Sequence, residues 1–255
     1  MTAGTMSISN LTNAQISALP ATVIEDLSVT EIASLSSSQV GAINTSGIAV
    51  ISATQLAALS PTQVKGLTAT QIPQLTSSLM FSPSQLLVLS SQQFGALTGT
   101  QIDEIPDTEI ATIASTQIAA LSATNFSSLD ATAIGALTAT QLSGVTTTQI
   151  AGLTATAFGE LQDTEIAALS SKQIGALSAT DFSSLDATTI GGLNATQLSG
   201  VTTTQIAGLT ATALSDLSAT QIGKLSTAQL GALTTTNLGA LSTTQVGGLT
   251  SAQIG

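Results

Sequence analysis

The residues with the most chemical potential in this sequence are four acidic side chains in the stretch DEIPDTE. Asp103, Glu104, Asp107 and Glu109 lie within seven residues of one another. Carboxylate oxygens are ligands that Ca²⁺ prefers, so these four residues are the candidate calcium ligands of the chain. They lack the Asp-x-Asp-x-Asp-Gly order of a calcium loop, and a solvated acidic patch is the other interpretation. We predict no further metal or cofactor site.

Other kinds of catalytic chemistry lack their usual residues. The chain contains no His and no Cys, which removes the commonest general base, the thiolate nucleophile and the usual zinc ligands. Ser and Thr are plentiful but have no base beside them, and no glycine-rich phosphate loop is found. The sequence therefore predicts a protein that is not an enzyme and has no small-molecule ligand.

The charge and the apolar runs restrict the partners. The 255 residues include 14 acidic and three basic side chains, which gives a net charge of −11. This charge is opposite in sign to the basic surface that binds nucleic acid. The apolar runs are far shorter than the roughly 20 residues of a membrane span. The N-terminus lacks the basic start and apolar core of a Sec signal peptide. We predict neither a nucleic-acid partner nor membrane insertion.

The elements that must position these side chains come from an eight-residue repeat. The unit reads L-[S/T]-x-T-Q-[I/L/V]-x-small, as in LSPTQVKG at 59–66. Counted from its Leu, position 1 is Leu, Ile, Val or Phe, and position 6 is apolar in all 29 full octads. A fixed period of this kind indicates a repeat architecture.

The repeat divides the chain into segments. A lead-in at 1–10 precedes octads over 11–75, a phase break at 76–80 shortens the spacing by two residues, and octads resume over 81–255. The last unit ends within an octad, so we expect the array to continue beyond the given sequence. Residues 122–158 recur at 178–214, an offset of 56 residues or seven octads. Segmental duplication is the simpler interpretation, and a structural repeat of seven octads is the alternative.

Each octad has the sequence of a helix N-terminus. In the octad that begins at Leu59, Ser60 is a predicted N-cap and Pro61 suits the first helical position. Gln63 can complete a capping box with Ser60, and Leu59 and Val64 form the matching hydrophobic staple. Small residues at positions 7 and 8 are often Gly, which we expect to supply unusual backbone angles where the chain turns.

We therefore predict an all-α fold, a solenoid of very short capped helices with one helix per octad. A continuous helix is disfavoured because eight residues rotate the Leu stripe by about 80° per unit. The alternative is a β-solenoid, in which positions 1 and 6 would point to opposite faces of a strand. One octad cannot bury its own apolar face, so neighbouring units must stack. The predicted product has an Ile/Leu interior and a surface of Thr, Ser, Gln and Ala.

The units LTATQI and LSATQI resemble the LTxxQ-type octapeptide tracts of very large secreted or surface proteins of Gram-negative bacteria. The resemblance covers about residues 11–255. It implies an extracellular or cell-surface location, reached without a cleaved Sec signal peptide and by means of a C-terminal signal outside this sequence.

These features together predict a structural repeat protein that forms an elongated rod or filament of the bacterial cell surface. Its role would be that of an adhesin stalk, a surface layer or a filament subunit. The predicted partner is a second copy of the chain, bound end to end or side by side. The alternative is a binding module in which a β-solenoid presents a regular Thr face to ice or to a glycan.

Overall fold

The computed structural model describes residues 7–76 and 81–255, and all of its helices are short. These residues form 29 α-helices of four to six residues, two 3₁₀-helices and no strands. The predicted all-α solenoid is confirmed. The β-solenoid alternative is wrong for the described residues, because they form short helices and no strands. No helix in this part of the chain has the length and hydropathy to cross a membrane.

The chain divides into two compact units, Met1–Leu129 and Asp130–Gly255. The first unit contains a 3₁₀-helix at Ile8–Asn10, a second at Ile72–Gln74, and helices α1 Asn13–Ser17, α2 Ala21–Glu25, α3 Val29–Ala33, α4 Ser37–Ala42, α5 Thr45–Ile48, α6 Ala53–Ala58, α7 Pro61–Val64, α8 Pro83–Leu86, α9 Ser91–Phe94, α10 Gly99–Asp103, α11 Asp107–Ile110, α12 Ser115–Ile118 and α13 Ala123–Ser127.

The second unit contains helices α14 Ala131–Gly135, α15 Ala139–Gly144, α16 Thr147–Ala151, α17 Ala155–Gly159, α18 Asp163–Ala168, α19 Ser171–Ala176, α20 Ala179–Ser184, α21 Ala187–Gly192, α22 Ala195–Gly200, α23 Thr203–Ala207, α24 Ala211–Ser215, α25 Ala219–Ile222, α26 Thr227–Gly231, α27 Thr235–Ala240, α28 Thr243–Gly247 and α29 Ser251–Ile254.

The start of α7 shows why an octad makes a helix. The backbone N–H of Gln63 donates to Ser60 Oγ at 3.3 Å, and the N–H of Ser60 donates to Gln63 Oε1 at 2.8 Å. Pro61 occupies the first helical position, where its missing N–H costs no hydrogen bond. The predicted capping box is therefore confirmed, and it satisfies two of the N–H groups that a helix start leaves unpaired.

The octad at 67–74 departs from the rule of one α-helix per octad. Its start is present, since the N–H of Thr68 donates to Gln71 Oε1 at 2.6 Å. Pro73 follows two residues later and has no N–H to continue an α-helical ladder. The chain forms the 3₁₀-helix Ile72–Gln74 instead. Apart from Thr76, the predicted phase break at 76–80 lies outside the described residues.

Within each unit the chain coils so that a helix packs against the third helix after it. Examples are α1 on α4 and α3 on α6 in the first unit, and α16 on α19 and α19 on α22 in the second. Positions 1 and 6 of the octads point into the coil. Ile174 and Leu177, for instance, are 0% and 4% exposed. The predicted Ile/Leu interior is thus confirmed within each unit.

The glycines serve a purpose that the sequence did not predict. No glycine among the described residues has a positive φ, so the expectation of unusual backbone angles is wrong. A Cβ atom on Gly66 would overlap the carbonyl oxygen of Ser37, and one on Gly200 would overlap that of Ser171. The missing side chain therefore lets helices of neighbouring coils cross with their backbones in contact.

Replacing two equivalent glycines by alanine should have opposite effects. Gly200 and Gly192 are both the last residues of six-residue helices, but no atom lies within 4 Å of a Cβ built on Gly192. We expect Gly200→Ala to lower the free energy of unfolding by about 1–3 kcal/mol through overpacking. Gly192→Ala should raise it by about 0.4–1 kcal/mol by restricting the unfolded chain.

Urea unfolding followed by circular dichroism at the helix signal measures both effects. Two destabilised variants, or two unaffected ones, would contradict the role of close backbone approach at Gly200.

Candidate functional site

The residue that joins one coil to the next is the glutamine at position 5 of the octad. Gln205 is 1% exposed. Its Oε1 accepts from the N–H of Thr202 at 2.7 Å, which caps its own helix. Its Nε2 donates to the carbonyl oxygens of Ile174 at 2.8 Å and Leu177 at 2.9 Å, which belong to the preceding coil. One amide group therefore serves two elements, and the prediction that Gln lies on the surface is wrong.

Several carbonyl groups converge on each such nitrogen. The Nε2 of Gln55 lies 3.0 Å from Ile24 O, 3.3 Å from Glu25 O and 2.8 Å from Leu27 O. These oxygens belong to the end of α2 and the residues after it, where a helix leaves carbonyls without intrahelical partners. We call this arrangement the carbonyl cradle, defined by positions 6, 7 and 1 at the junction of two octads.

The same contact recurs along both units. A glutamine Nε2 donates to the position 1 carbonyl of an earlier octad in a set that includes Gln39, Gln55, Gln63, Gln71, Gln173, Gln197, Gln205, Gln221, Gln229, Gln245 and Gln253. In each case donor and acceptor are 28 residues apart, as in Gln205 and Leu177. Position 5 of an octad thus contacts position 1 of the octad three before it, in agreement with the packing of each helix on the third helix after it.

The contact persists across the two-residue phase break in the first unit. Gln85 and Gln93 donate to Leu59 O at 2.8 Å and Leu67 O at 2.7 Å, over a separation of 26 residues instead of 28. Gln101 reaches Leu75 O at 3.0 Å over the same shorter separation. The loss of two residues between 75 and 81 therefore leaves the pairing of octads unchanged.

One octad makes the contact with a different residue. Position 5 is Gly47, which has no side chain, and the N-cap is Asn44. Asn44 Oδ1 accepts from the N–H of Gly47 at 2.9 Å, while Nδ2 donates to Ser17 O at 2.9 Å and Leu19 O at 2.8 Å. Leu19 lies 28 residues before Gly47, so Asn44 binds the carbonyl that a glutamine at 47 would bind. The carbonyl cradle therefore still receives an amide N–H, although the donor is the N-cap residue and not the residue at position 5.

Shorter amides at position 5 also reach the cradle. Asn125 Nδ2 donates to Leu97 O at 2.6 Å, and Asn237 Nδ2 donates to Leu209 O at 2.8 Å. Both separations are again 28 residues. The donor is therefore an amide nitrogen in octads with Gln or Asn at position 5, whereas the octads with Ala133, Ala157 or Ala213 at this position have no such side chain there.

Two cavities lie where position 5 carries no amide. They have volumes of about 260 and 140 Å³, and both have Asp163 and Thr189 in their walls. Thr189 is at position 5 and is shorter than glutamine, and its hydroxyl donates to Asp163 Oδ1.

The N–H of Thr189 donates to Asp186 Oδ1 at 2.8 Å and lowers the pKa of that carboxyl. Because the hydroxyl is bonded to Asp163, we attribute the shift to the backbone hydrogen bond.

The four candidate calcium ligands lie at the junction of two helices. Asp103 ends α10 and Glu104 follows it, while Asp107 and Glu109 lie in the first turn of α11. The Oε2 atoms of Glu104 and Glu109 are buried without a hydrogen-bond partner. Over residues 7–76 and 81–255, no three acidic side chains are grouped as a metal ion would need. Calcium binding at these residues stays a prediction.

Sequence reasoning identified the capping role of the glutamine but missed its contact with the neighbouring coil. The signal was the preference for Gln over Glu, since a capping box accepts either residue. A glutamate has no donor for the carbonyl cradle. Glu31, which serves its capping box with Ser28, is exposed, whereas Gln205 is buried.

Exchanging this amide for a carboxylate should separate the two roles of the glutamine. Gln205→Glu keeps the capping acceptor but places a negative charge against two carbonyl oxygens, so we expect a loss of about 2–4 kcal/mol in the free energy of unfolding. Gln15 is the matched control, because it is exposed and makes the same capping-box contacts with Thr12. Gln15→Glu should change the stability by less than about 0.5 kcal/mol. Equal effects in urea unfolding would refute the inter-coil role.

The carboxyl group of Glu31, which belongs to the capping box of α3, should have a lowered pKa. The hydroxyl of Ser28 at 2.7 Å, and then its N–H at 2.9 Å, donate to Glu31 Oε2 and lower the pKa of Glu31. A lowered pKa in the folded state means that the stabilisation is complete above the unfolded value of about 4.3 and is lost as the pH falls through the folded value. Carboxyl NMR should show a Glu31 midpoint below the ordinary range for glutamate, and Ser28→Ala should raise it. An unchanged midpoint in the variant would contradict this cause.

Comparison with known proteins supports the repeat type. A search of curated proteins found no match to the chain. The family model described as the ALTTAQ repeat matches residues 213–243 and 222–255. Both matched segments lie in the second unit, and together they include the octads of Gln221, Gln229 and Gln245, whose Nε2 atoms bind the carbonyl cradle. Residues 213–255 are therefore similar to the ALTTAQ repeat, and this similarity supports a repeat of the LTxxQ-like type.

Proposed function

We propose that this chain is a structural repeat protein that builds an elongated element of the bacterial cell surface. The observation that carries the proposal is the glutamine contact between coils, which recurs with the same atoms within each of the two units, over 28 residues or, across the shortened connection of the first unit, over 26. A fold stabilised mainly by contacts between adjacent repeats can be extended by adding repeats, as in other solenoids. Such a fold is therefore suited to building a long protein.

The coil faces also support self-association. Each coil has glutamine Nε2 donors on one face and carbonyl acceptors on the other. The donor face of one coil can therefore pair with the acceptor face of another, which is a head-to-tail contact. Gln173 shows both faces of one octad junction, since its Nε2 binds Val145 O at 2.7 Å, while Ile174 O accepts from Gln205 at 2.8 Å. A head-to-tail contact that does not close into a ring generates a filament. We therefore favour end-to-end association over side-by-side packing.

The surface chemistry fits a protein exposed to the outside of the cell. Three Lys and no Arg leave few sites for trypsin-like proteases, and the absence of Cys makes the fold independent of redox conditions. The net charge of −11 keeps the surface soluble and disfavours contact with other acidic surfaces. An adhesin stalk, a surface layer and a filament subunit all use these properties.

The helical fold favours the structural proposal over the alternative of a Thr face for ice or glycan binding. That hypothesis needs strands that hold the hydroxyls in flat rows, and the described residues form helices. Many of the threonines are N-caps, such as Thr202, whose Oγ1 accepts from the N–H of Gln205 at 3.2 Å. Their hydroxyls are engaged with backbone groups, so we retain the structural proposal alone.

Electron microscopy and sedimentation velocity test the assembly. We expect filaments of constant width whose length rises with protein concentration. Assembly should be greater at about 0.3 M than at 0.02 M NaCl, because salt screens the repulsion between acidic copies. Single particles of one size at all concentrations would refute end-to-end association.

Antibody labelling tests the location. Intact and permeabilised cells of the source should label equally if the protein is on the surface, with a cytoplasmic protein as the control. Labelling only after permeabilisation would contradict the surface location.

A further inference from the structure

The last three carbonyl cradles of the second unit receive no amide from the described chain. Gln253 is the last glutamine of the sequence, and its Nε2 donates to Leu225 O at 2.6 Å. In the register of 28 residues, no described side chain corresponds to the cradles that follow, at 230–233, 238–241 and 246–249. Their carbonyl groups are therefore available to a donor from another molecule.

The apolar side chains beside these cradles are also uncovered. Leu238 and Val246 are at position 6 and are 48% and 47% exposed, whereas Ile222 at the same position is 0% exposed. No atom lies within 4 Å of a Cβ atom built on Gly239, which lies in the cradle at 238–241. We call the three cradles, together with Leu238 and Val246, the acceptor face.

The coil at residues 11–34 presents the opposite face. Its position 5 residues are Gln15, Val23 and Glu31, and all three are exposed. Gln15 Oε1 accepts from the N–H of Thr12 at 2.8 Å, while its Nε2 has no partner among the described residues. Val23 is 40% exposed. We call these three side chains the donor face.

The register between coils pairs the two faces in chain order. Gln15 meets the cradle at 230–233 and supplies the amide N–H that an internal glutamine supplies elsewhere. Val23 meets the cradle at 238–241, where it packs against the exposed Leu238 and removes apolar surface from water. Two of the three junctions are therefore complementary.

The charge distribution permits the approach of two copies at these faces. The chain has a net charge of −11, but residues 225–255 contain no Asp, Glu, Lys or Arg. Repulsion between like charges is thus smallest where the acceptor face lies. An acidic donor face, with Glu31 in it, can approach an uncharged surface more easily than any other part of this chain.

We propose that the acceptor face binds the donor face of a second copy of this chain, and that Glu31 limits the strength of this contact. The inference rests on the proposed end-to-end association and identifies its two surfaces. A second copy is the occupant because the contact continues, with the same atoms and the same register, the one that joins coils within each unit.

Glu31 opposes the contact because an ionised carboxylate has no N–H to donate. In the register it meets the cradle at 246–249, where the carbonyl groups of Val246 and Leu249 present only oxygen lone pairs. The carboxylate already accepts from Ser28 at its own helix start. Association of copies is therefore weaker than the contact between coils within a unit, which glutamine completes.

Replacing Glu31 by glutamine should strengthen the association. Glu31→Gln keeps the capping box, as Gln39 does with Ser36, and adds an amide donor. We expect the concentration for half-maximal association in sedimentation velocity to fall about tenfold. Glu25→Gln is the matched control, since it removes the same charge from an exposed position 7 of the same coil. It should change this concentration by less than about twofold. Equal effects would show that net charge alone governs association and would overturn the role of Glu31.

Thiol cross-linking locates the contact, because the chain has no Cys of its own. Val23→Cys and Gly239→Cys, prepared separately and mixed with a short bismaleimide, should form a covalent dimer. Val29→Cys is the control partner for Gly239→Cys. Val29 is 45% exposed but is at position 3, a position that is exposed within inner coils as well, as at Thr203. This control should form little dimer.

A second thiol pair guards against a variant that fails to fold. Gln15→Cys and Gly231→Cys lie at the neighbouring junction, and no atom lies within 4 Å of a Cβ atom built on Gly231. This pair should also form a dimer. Circular dichroism at the helix signal checks the fold of each variant before mixing.

Two kinds of result would overturn the inference, and they differ in what they mean for the proposed function. Filaments of wild-type protein without dimers from either thiol pair, or with equal dimer from the Val29→Cys control, would mean that copies associate through other surfaces. The absence of association in both wild-type protein and Glu31→Gln would overturn the end-to-end proposal as well.

Discussion

The structure depends on how very short helices satisfy their terminal backbone groups. A helix leaves four N–H and four C=O groups without intrahelical partners, and in a helix of four to six residues these are most of the groups present. The glutamine amide meets both needs at once, because its oxygen accepts at the start of its own helix and its nitrogen donates to the carbonyl cradle of the preceding coil. The burial of Gln205 follows from these two contacts, and so does the join between its coil and the preceding one.

Much of the local structure could be predicted from the sequence, because the residues that determine it lie within one octad. Ser60, Pro61 and Gln63 specify a helix start by their types and order, and the structure has that start. What could not be predicted depends on residues 28 or 29 positions apart. The burial of Gln205 and the missing side chain of Gly200 both concern a neighbouring coil, whose position no octad encodes by itself. The candidate ligands near Asp103 were identified by composition alone, and composition does not determine whether side chains meet.

The array shows that the contact matters more than the residue that makes it. Asn44 supplies the donor where Gly47 has none, and Asn125 supplies it from a shorter side chain. Such exchanges are expected in a fold whose stability is spread over many equivalent junctions, since one altered junction leaves its neighbours intact. This distribution suits a protein whose proposed role is to span a distance, because the loss of one contact does not unfold the whole array.

The shorter connection between residues 75 and 81 has a consequence for how such genes change. Gln85, Gln93 and Gln101 bind the same positions of the preceding coil although two residues are missing from the intervening chain. Replication slippage adds or removes whole repeats in tandem DNA, and imprecise slippage alters the spacing between them. A fold that tolerates both a change in the number of repeats and a change in their spacing can become longer or shorter over generations while each intermediate protein still folds.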